Sequence, residues 1–282
     1  MVVLDYHSLI LKGLQHYKIP MTHILITNDD GITAPGLRAL VKEIRKIGQI
    51  TVLAPDRNWS ASGHVKTMHR PLRVKEVQMF GDIPAFTTDG APSDCVSLAQ
   101  LGFIPQQIDL VLSGINPNAN IGHDVTYSGT VTAAMEAVIR GIPGIAVSVD
   151  SPDNHLGDLD YSTPAKIAGL IAKQFLANGF PDKTVINVNV PYLPYKSVAG
   201  ILITRQGLRV YKDSLIQRKD PRNQPYFWIG GEAPTGIIEE GTDYGAVKAG
   251  FVSITPIKLD LTAYNQIENL QEMDWNLDTP EE

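Results

Sequence analysis

The chain has a single cysteine, Cys95, so neither a disulfide framework nor a cysteine-built zinc or iron–sulfur centre is open to it. No apolar run reaches the length of a membrane span. The run Ser8-Leu9-Ile10-Leu11 is too short for the core of a secretory signal, and no small-residue cleavage pattern follows it. The expected compartment is therefore the cytoplasm. Positive charge is also scarce: the net charge of −6 argues against a general binder of nucleic-acid backbones, whose domains are usually basic. Three signatures of nucleotide and ester chemistry are missing. No Gly-x-Gly-x-x-Gly follows the first strand-like run, which argues against a dinucleotide dehydrogenase, and no Gly-x-x-x-x-Gly-Lys-Ser/Thr exists for a P-loop. Thr126, not glycine, stands two residues before Ser128, which argues against a hydrolase nucleophile elbow. Internal repeats and low-complexity blocks are lacking too.

What remains is ordinary globular composition, 43% hydrophobic and 19% charged over 282 residues, enough for one large domain with an appendage. Within it, Ile24-Leu25-Ile26-Thr27 is a short apolar run with the character of a buried parallel strand. It ends in Asn28-Asp29-Asp30-Gly31. Ligands of open α/β sheets bind outside the carboxyl ends of the strands, which is where these two carboxylates fall. Side by side they repel unless a cation sits between them. The plainer reading is a polar turn, since Asn, Asp and Gly dominate turns for conformational reasons.

Further along, Pro35 opens a predicted helix with the stripe Leu37, Leu40, Val41, Ile44 and Ile47, stopped by Gly48. Residues 50–54 give a second strand, completing β-α-β. A loop over 56–67, Arg57-Asn58-Trp59-Ser60-Ala61-Ser62-Gly63-His64 among it, then overhangs the same crevice. A lone loop His such as His64 is more often a structural hydrogen-bonder than a catalyst. Strands are expected at 72–77, 85–88, 108–113, 144–149, 185–190, 201–204 and 251–257, with helices opening at Gly90-Ala91-Pro92 and at Ser162 or Thr163, the latter striped by Ile167, Leu170, Ile171 and Phe175. Cys95 is read as a small core residue. The strand at 108–113 delivers Gly114-Ile115-Asn116-Pro117-Asn118-Ala119-Asn120, whose amides can serve a cation or a phosphate. Tyr127-Ser128-Gly129-Thr130 then opens a helix whose free N–H groups suit an anion, or which Ser or Thr simply caps. From 205 to 248 the pattern changes to interleaved charge, Gly, Pro and aromatics (Tyr211, Tyr226, Phe227, Trp228), the mark of an extended β arm.

Two carboxylates, a Ser-rich loop, an asparagine loop and a Ser-Gly-Thr helix start thus converge on one crevice. Oxygen donors suit Mg²⁺, Mn²⁺ or Ca²⁺ over zinc, and anion donors beside a hard cation suit metal-assisted hydrolysis of a phosphate ester.

The chain resembles the SurE family of metal-dependent nucleoside-monophosphate phosphatases. The resemblance rests on six segments in family order. They are Ile24 through Gly31, Ala54-Pro55-Asp56 with Ser60-Ala61-Ser62-Gly63-His64, Gly90-Ala91-Pro92-Ser93-Asp94-Cys95-Val96, Ser113-Gly114-Ile115-Asn116, Ser128-Gly129-Thr130-Val131 and Val252-Ser253-Ile254-Thr255-Pro256-Ile257. It implies an α/β fold, Rossmann-like and doubly wound on a mostly parallel sheet, with a C-terminal β arm that exchanges between subunits of a homodimer or tetramer. It implies one divalent cation, Mg²⁺ or Mn²⁺, held by Asp29, Asp30, Ser60 and Asn116, with Asp29, Asp30 and Asn116 carrying catalysis. It implies a phosphate pocket lined by Gly63, His64, Asn120, Ser128, Gly129 and Thr130. The expected activity is hydrolysis of nucleoside 5′- and 3′-monophosphates, with short polyphosphate as a further candidate substrate. The family commonly has glycine where this chain has Asn118, and asparagine tolerates a left-handed conformation better than most residues.

The expected organisation is a peripheral segment 1–20 preceding Met21, a catalytic core 21–204, an oligomerisation arm 205–248, and a returning strand with a terminal helix and acidic tail over 249–282. Two other classes stay open: a regulatory module that binds a phospho-ligand without hydrolysis, and an assembly protein whose arm is its main function.

Overall fold

A computed structural model gives the structure of residues 22–153 and 155–275. The expected peripheral segment 1–20 and the end of the acidic tail lie outside the described residues. Ile24, Leu25 and Ile26 form the fully buried middle of β1 (His23–Thr27). Successive strand residues point to opposite faces, and here both faces are covered. Ile24 and Ile26 pack with Leu37, Leu40 and Ile44 of α1 (Pro35–Ile44) and Ile167 and Ile171 of α4 (Ser162–Asn178). Leu25 packs on the other face with Cys95 and Val96 of α2 (Pro92–Leu98) and Ala133 and Ala137 of α3 (Gly129–Ile139). That explains why β1 has an unbroken apolar run rather than alternation.

The main sheet has nine strands. Those not yet introduced are β2 (Gln49–Pro55), β3 (Val74–Glu76), β4 (Ala85–Thr88), β5 (Leu110–Asn116), β6 (Gly144–Asp150), β7 (Thr184–Pro191), β8 (Ile201–Ile203) and β11 (Val252–Lys258). Their order is β3-β4-β2-β1-β5-β6-β7-β11-β8. Six neighbouring pairs are parallel, and β3–β4 and β7–β11 are antiparallel. The sheet is thus mostly parallel and doubly wound, as expected. No helix among the described residues is long and apolar enough to cross a membrane.

Four details differ from the sequence expectation. β5 runs on through Gly114, Ile115 and Asn116, with a register break opposite β6 between Gly114 and Asn116, so Asn116 ends a strand rather than sitting in a loop. The strand foreseen at 72–77 contracts to the three residues of β3. Leu170 of α4 is half exposed, because the helix buries Ala168 and Ala172 beside Ile167 and Ile171 instead. A π-helical turn, Ala99–Phe103, extends α2.

The region 205–248 divides. β9 (Arg209–Lys219) and β10 (Pro225–Gly236) pair antiparallel as a separate two-stranded hairpin. Its apolar side chains stand in solvent, Leu215 at 68%, Trp228 at 63% and Ile229 at 82% exposure. Residues 243–248, expected as part of the extended arm, form α5 (Asp243–Lys248), N-capped by Thr242, whose hydroxyl accepts from Gly245 N at 3.0 Å. Tyr244, Ala246 and Val247 are buried. A six-residue helix is too short to show a stripe in the sequence. The terminal helix begins at Tyr264, α6 (Tyr264–Gln271), and buries none of its residues.

Candidate active site

The turn after β1 separates conformational from chemical roles. Asn28 closes it: its Nδ2 donates to Gly31 O at 3.0 Å and its Oδ1 accepts from Gly31 N at 3.2 Å. Gly31 has φ +98°, a left-handed conformation that glycine adopts without strain. With Asn28 and Gly31 making the turn, the carboxylates of Asp29 and Asp30 have no turn to stabilise.

Asp29 is 3% exposed and lies at the N-terminus of α3. Thr130 donates to it twice, from its backbone N at 3.2 Å and from Oγ1 at 2.5 Å. This contact needs Gly129, since a Cβ there would stand 2.7 Å from Asp29 Cβ. Burial pushes the Asp29 carboxyl up, and the Thr130 donors oppose that rise without cancelling it. Asp30 is pushed up to about 7, first by burial and then by the charge of Asp29. Asn58 Nδ2 donates to Asp30 Oδ1 at 3.3 Å. Two adjacent carboxyls both raised by burial, the second also by the charge of the first, make a site short of positive charge.

The loop over the site is fastened at both ends. Trp59 N donates to Asp29 O at 2.7 Å, and Gly63 N donates to Tyr127 O at 2.9 Å. Thr132 Oγ1 in turn donates to Gly63 O at 3.1 Å. His64 Nε2 lies 3.2 Å from Glu136 Oε2 of α3. Glu136 is 3% exposed, and Lys66 Nζ at 3.3 Å, Arg140 Nε at 2.7 Å and Ser97 Oγ at 2.6 Å also donate to it. Burial alone would raise this carboxyl. The bonds from His64, Ser97 and Arg140, with the Lys66 charge, instead hold it well below the usual range.

Asn116, at the end of β5, donates from Nδ2 to Asn118 O at 2.5 Å, which leaves its Oδ1 without a donor among the described residues. Asn118 does not use a left-handed conformation: among the described non-glycine residues only Ala61, Lys183 and Asn223 have positive φ. Asn120 is pinned by Ser148 Oγ, which accepts from its Nδ2 at 2.8 Å, and by the amides of Asn187 and Asn189, which donate to its carbonyl at 2.9 and 3.0 Å. Ser128 caps α3, its Oγ accepting from Val131 N at 3.1 Å.

A cavity of about 750 Å³ opens over the strand ends, and Asp29, Ser60, Asn116, Asn120 and Ser128 all line it. Asp30, Gly63, His64, Gly129 and Thr130 do not line it: Gly129 and Thr130 stand behind Asp29, and His64 is engaged with Glu136. The anion held by the N–H and hydroxyl of Thr130 is the chain's own Asp29. Several residues of the lining escaped the sequence reading, among them Asp150, Tyr192 and Lys248. Asp150 ends β6 as Asp29 follows β1, so the same strand-end reasoning points to it.

The donor set fits a hard divalent cation. Asp29, Asp30, Asn116 Oδ1 and Ser60 Oγ supply only oxygens, and Mg²⁺ and Mn²⁺ favour such ligands. Among the described residues no three His, Cys, Asp or Glu side chains gather to hold a metal, so a cation here would draw on the amide and hydroxyl oxygens as well.

Comparison with known proteins shows the family of the chain. The family described as survival protein SurE matches residues 24–213. The chain is 47% identical over 254 residues to a protein of Herpetosiphon aurantiacus named 5′-nucleotidase SurE, covering 90% of this chain and 99% of that one. It is 46% identical over 259 residues to a protein of the same name from Geobacter sulfurreducens, covering 92% and 96%. A crystal structure of the SurE protein from Aquifex aeolicus superposes with a TM-score of 0.75 at 41% identity, covering 88% of this chain and 98% of that one.

Proposed function

The chain belongs to the survival protein SurE family, and from that premise we propose that it is a divalent-cation-dependent phosphatase of the cytoplasm that hydrolyses nucleoside 5′- and 3′-monophosphates. Its class is phosphoric monoester hydrolase, in keeping with relatives named 5′-nucleotidase. The observation that carries the proposal is the Asp29–Asp30 pair, both carboxyls raised by burial and Asp30 further by the charge of Asp29, with Asp29 lining a cavity of about 750 Å³.

Asp29, Asp30, Ser60 and Asn116 would hold one Mg²⁺ or Mn²⁺. Bound there, the cation would polarise the phosphoryl oxygens and make a water more acidic. Thr130 fixes the orientation of the Asp29 carboxylate through two hydrogen bonds. Ser128, with its oxygen already accepting from Val131 N, offers its O–H to a phosphoryl oxygen. The Asn116 amide nitrogen is spent on Asn118 O, so its oxygen would be the atom that holds the cation. Asn120 is held by three neighbours and presents a fixed rim to the phosphate. Glu136 anchors His64 and Lys66, and through them the loop that carries Ser60. Short polyphosphate fits the same electrostatics.

The hairpin completes the reading. An isolated two-stranded hairpin is marginal in water, and this one exposes Tyr226, Phe227, Trp228 and Ile229 together. It therefore covers a second copy of the chain, giving a homodimer or a tetramer built from such dimers.

Phosphate release from AMP and 3′-AMP with Mg²⁺ or Mn²⁺, repeated with excess EDTA, tests the proposal. Release that stops with EDTA and returns with added metal supports it. Release indifferent to chelation overturns the metal assignment, and nucleotide binding without release leaves a regulatory module instead.

A further inference from the structure

The cavity is far larger than a phosphate and a cation require. Its volume of about 750 Å³ lies in the range of sites that enclose a whole small molecule. It also runs across the sheet: Asp29 follows β1, Asn116 ends β5, Asp150 ends β6 and Pro191 ends β7, four adjacent strands. Three strand spacings amount to about 14 Å. The oxygen cluster occupies the β1–β5 end, which leaves the β6–β7 end for whatever the phosphate is attached to.

That end is built to hold something specific. Asp150 accepts from Lys248 Nζ at 2.9 Å through Oδ2, and its Oδ1 has no protein donor among the described residues. Lys248 is itself held over the Tyr244 ring, 5.3 Å from its centroid. Tyr192 and Leu193 form an apolar wall beside these charges. The Tyr192 hydroxyl accepts from Asp160 N at 3.0 Å, and its ring meets His155 edge-on at 5.4 Å, so the wall is fixed before any ligand arrives. A single fixed acceptor beside a rigid aromatic wall is the arrangement that reads a sugar hydroxyl next to a flat base. Dinucleotide-binding sheets use a strand-end carboxylate on ribose in the same way.

We propose that the β6–β7 end of the cavity is the nucleoside subsite, with Asp150 accepting from the ribose hydroxyls and the Tyr192–Leu193 wall receiving the base, so that ribonucleoside monophosphates are favoured over deoxyribonucleotides. This rests on the nucleotidase reading above. Lys248 is a positioning residue: it fixes Asp150 and leaves one carboxylate oxygen for the sugar.

Steady-state kinetics on AMP, dAMP and p-nitrophenyl phosphate test it, in wild type and Asp150→Asn. A hydrogen bond to a charged acceptor is worth roughly tenfold or more in affinity. Wild type should therefore favour AMP over dAMP by about that factor, chiefly in KM. In Asp150→Asn the preference should shrink toward one, and the ratio of kcat/KM for AMP to that for p-nitrophenyl phosphate should fall about tenfold. Adenosine, which has no phosphate, should compete with p-nitrophenyl phosphate in wild type and about tenfold more weakly in the variant. That measurement stands even if the variant loses some stability. Equal treatment of AMP and dAMP by wild type, or an unchanged preference in Asp150→Asn, overturns the subsite while the phosphatase reading survives. A wild type that cleaves p-nitrophenyl phosphate but neither nucleotide also overturns the subsite. No release from any of the three with metal present overturns the phosphatase reading, and this proposal with it.

Discussion

Asp30→Asn should make the metal-free protein more stable at neutral pH while removing its response to metal. Asp30 has a folded-state pKa of about 7 against an ordinary 3.8, because burial and the Asp29 charge disfavour its ionised form. A carboxyl raised on folding stabilises the fold fully below its unfolded pKa. That contribution is lost as pH rises through the interval up to its folded pKa. In EDTA, wild-type stability should therefore decline between about pH 4 and pH 7 and level off above. The interval between 3.8 and about 7, at about 1.4 kcal/mol per pH unit, sets a ceiling of roughly 4 kcal/mol. The two carboxylates titrate as a pair, so about half that ceiling is expected from this one replacement. Asparagine is nearly isosteric and uncharged, so the variant should lack this decline. Denaturant unfolding in EDTA at pH 4.5 and pH 8 measures it: the variant should match wild type at the lower pH and exceed it by about 2 kcal/mol at the higher. Adding Mn²⁺ at pH 8 should reverse the order, since ligand that binds only the folded state stabilises wild type by mass action. A gap of the same size at both pH values, or equal stabilisation of both proteins by metal, would refute the reasoning.

Removal of the hairpin, residues 208–238 replaced by a short Gly-Ser linker, should convert the protein to monomer in sedimentation velocity. A dimer that persists with unchanged activity would show that the exposed aromatics hold nothing together. Glu136→Gln should lower stability by roughly 3 kcal/mol at pH 7, because Arg140, Lys66 and His64 lose the buried charge they share. Its carboxyl is held below the usual range, so that stabilisation is present above about pH 4.5 and fades as pH falls further. Thermal melts of both proteins from pH 3 to pH 8 follow the gap, which should close toward the acid end.

The layering of the fold was legible because both faces of its central strands are buried. Burial on two faces writes unbroken apolar runs such as Ile24-Leu25-Ile26, and the intervening helices carry stripes such as Leu37, Leu40, Val41 and Ile44. Legibility failed where the cause was not periodic. α5 is six residues long and owes its place to the Thr242 cap and to the burial of Tyr244 and Val247, neither of which makes a pattern. Leu170 completes a helical stripe in the sequence, yet two alanines take the buried positions beside it, since a close helix–helix approach favours small residues. The extension of β5 to Asn116 depends on a register break against β6, which only the neighbouring strand defines.

The site divides along the same line. Carboxylates after a strand end could be found because the position of a strand end follows from the apolar run that precedes it. The bonds that assign each residue its role could not, because they cross long stretches of chain. Thr130 reaches back to Asp29, and His64 reaches forward to Glu136. In the sequence Ser128-Gly129-Thr130 reads as an anion site awaiting substrate. In the fold, the Thr130 donors hold Asp29, and that changes what the helix does. Its N-terminus opposes, without cancelling, the rise that burial imposes on the Asp29 carboxyl, and so favours the form a cation would bind. On the proposed function the phosphate would be left to Ser128, Asn120 and the cation itself, which would make metal binding a condition of substrate binding. Substrate analogues should accordingly bind measurably only with metal present, an ordering that follows from where two hydrogen bonds end.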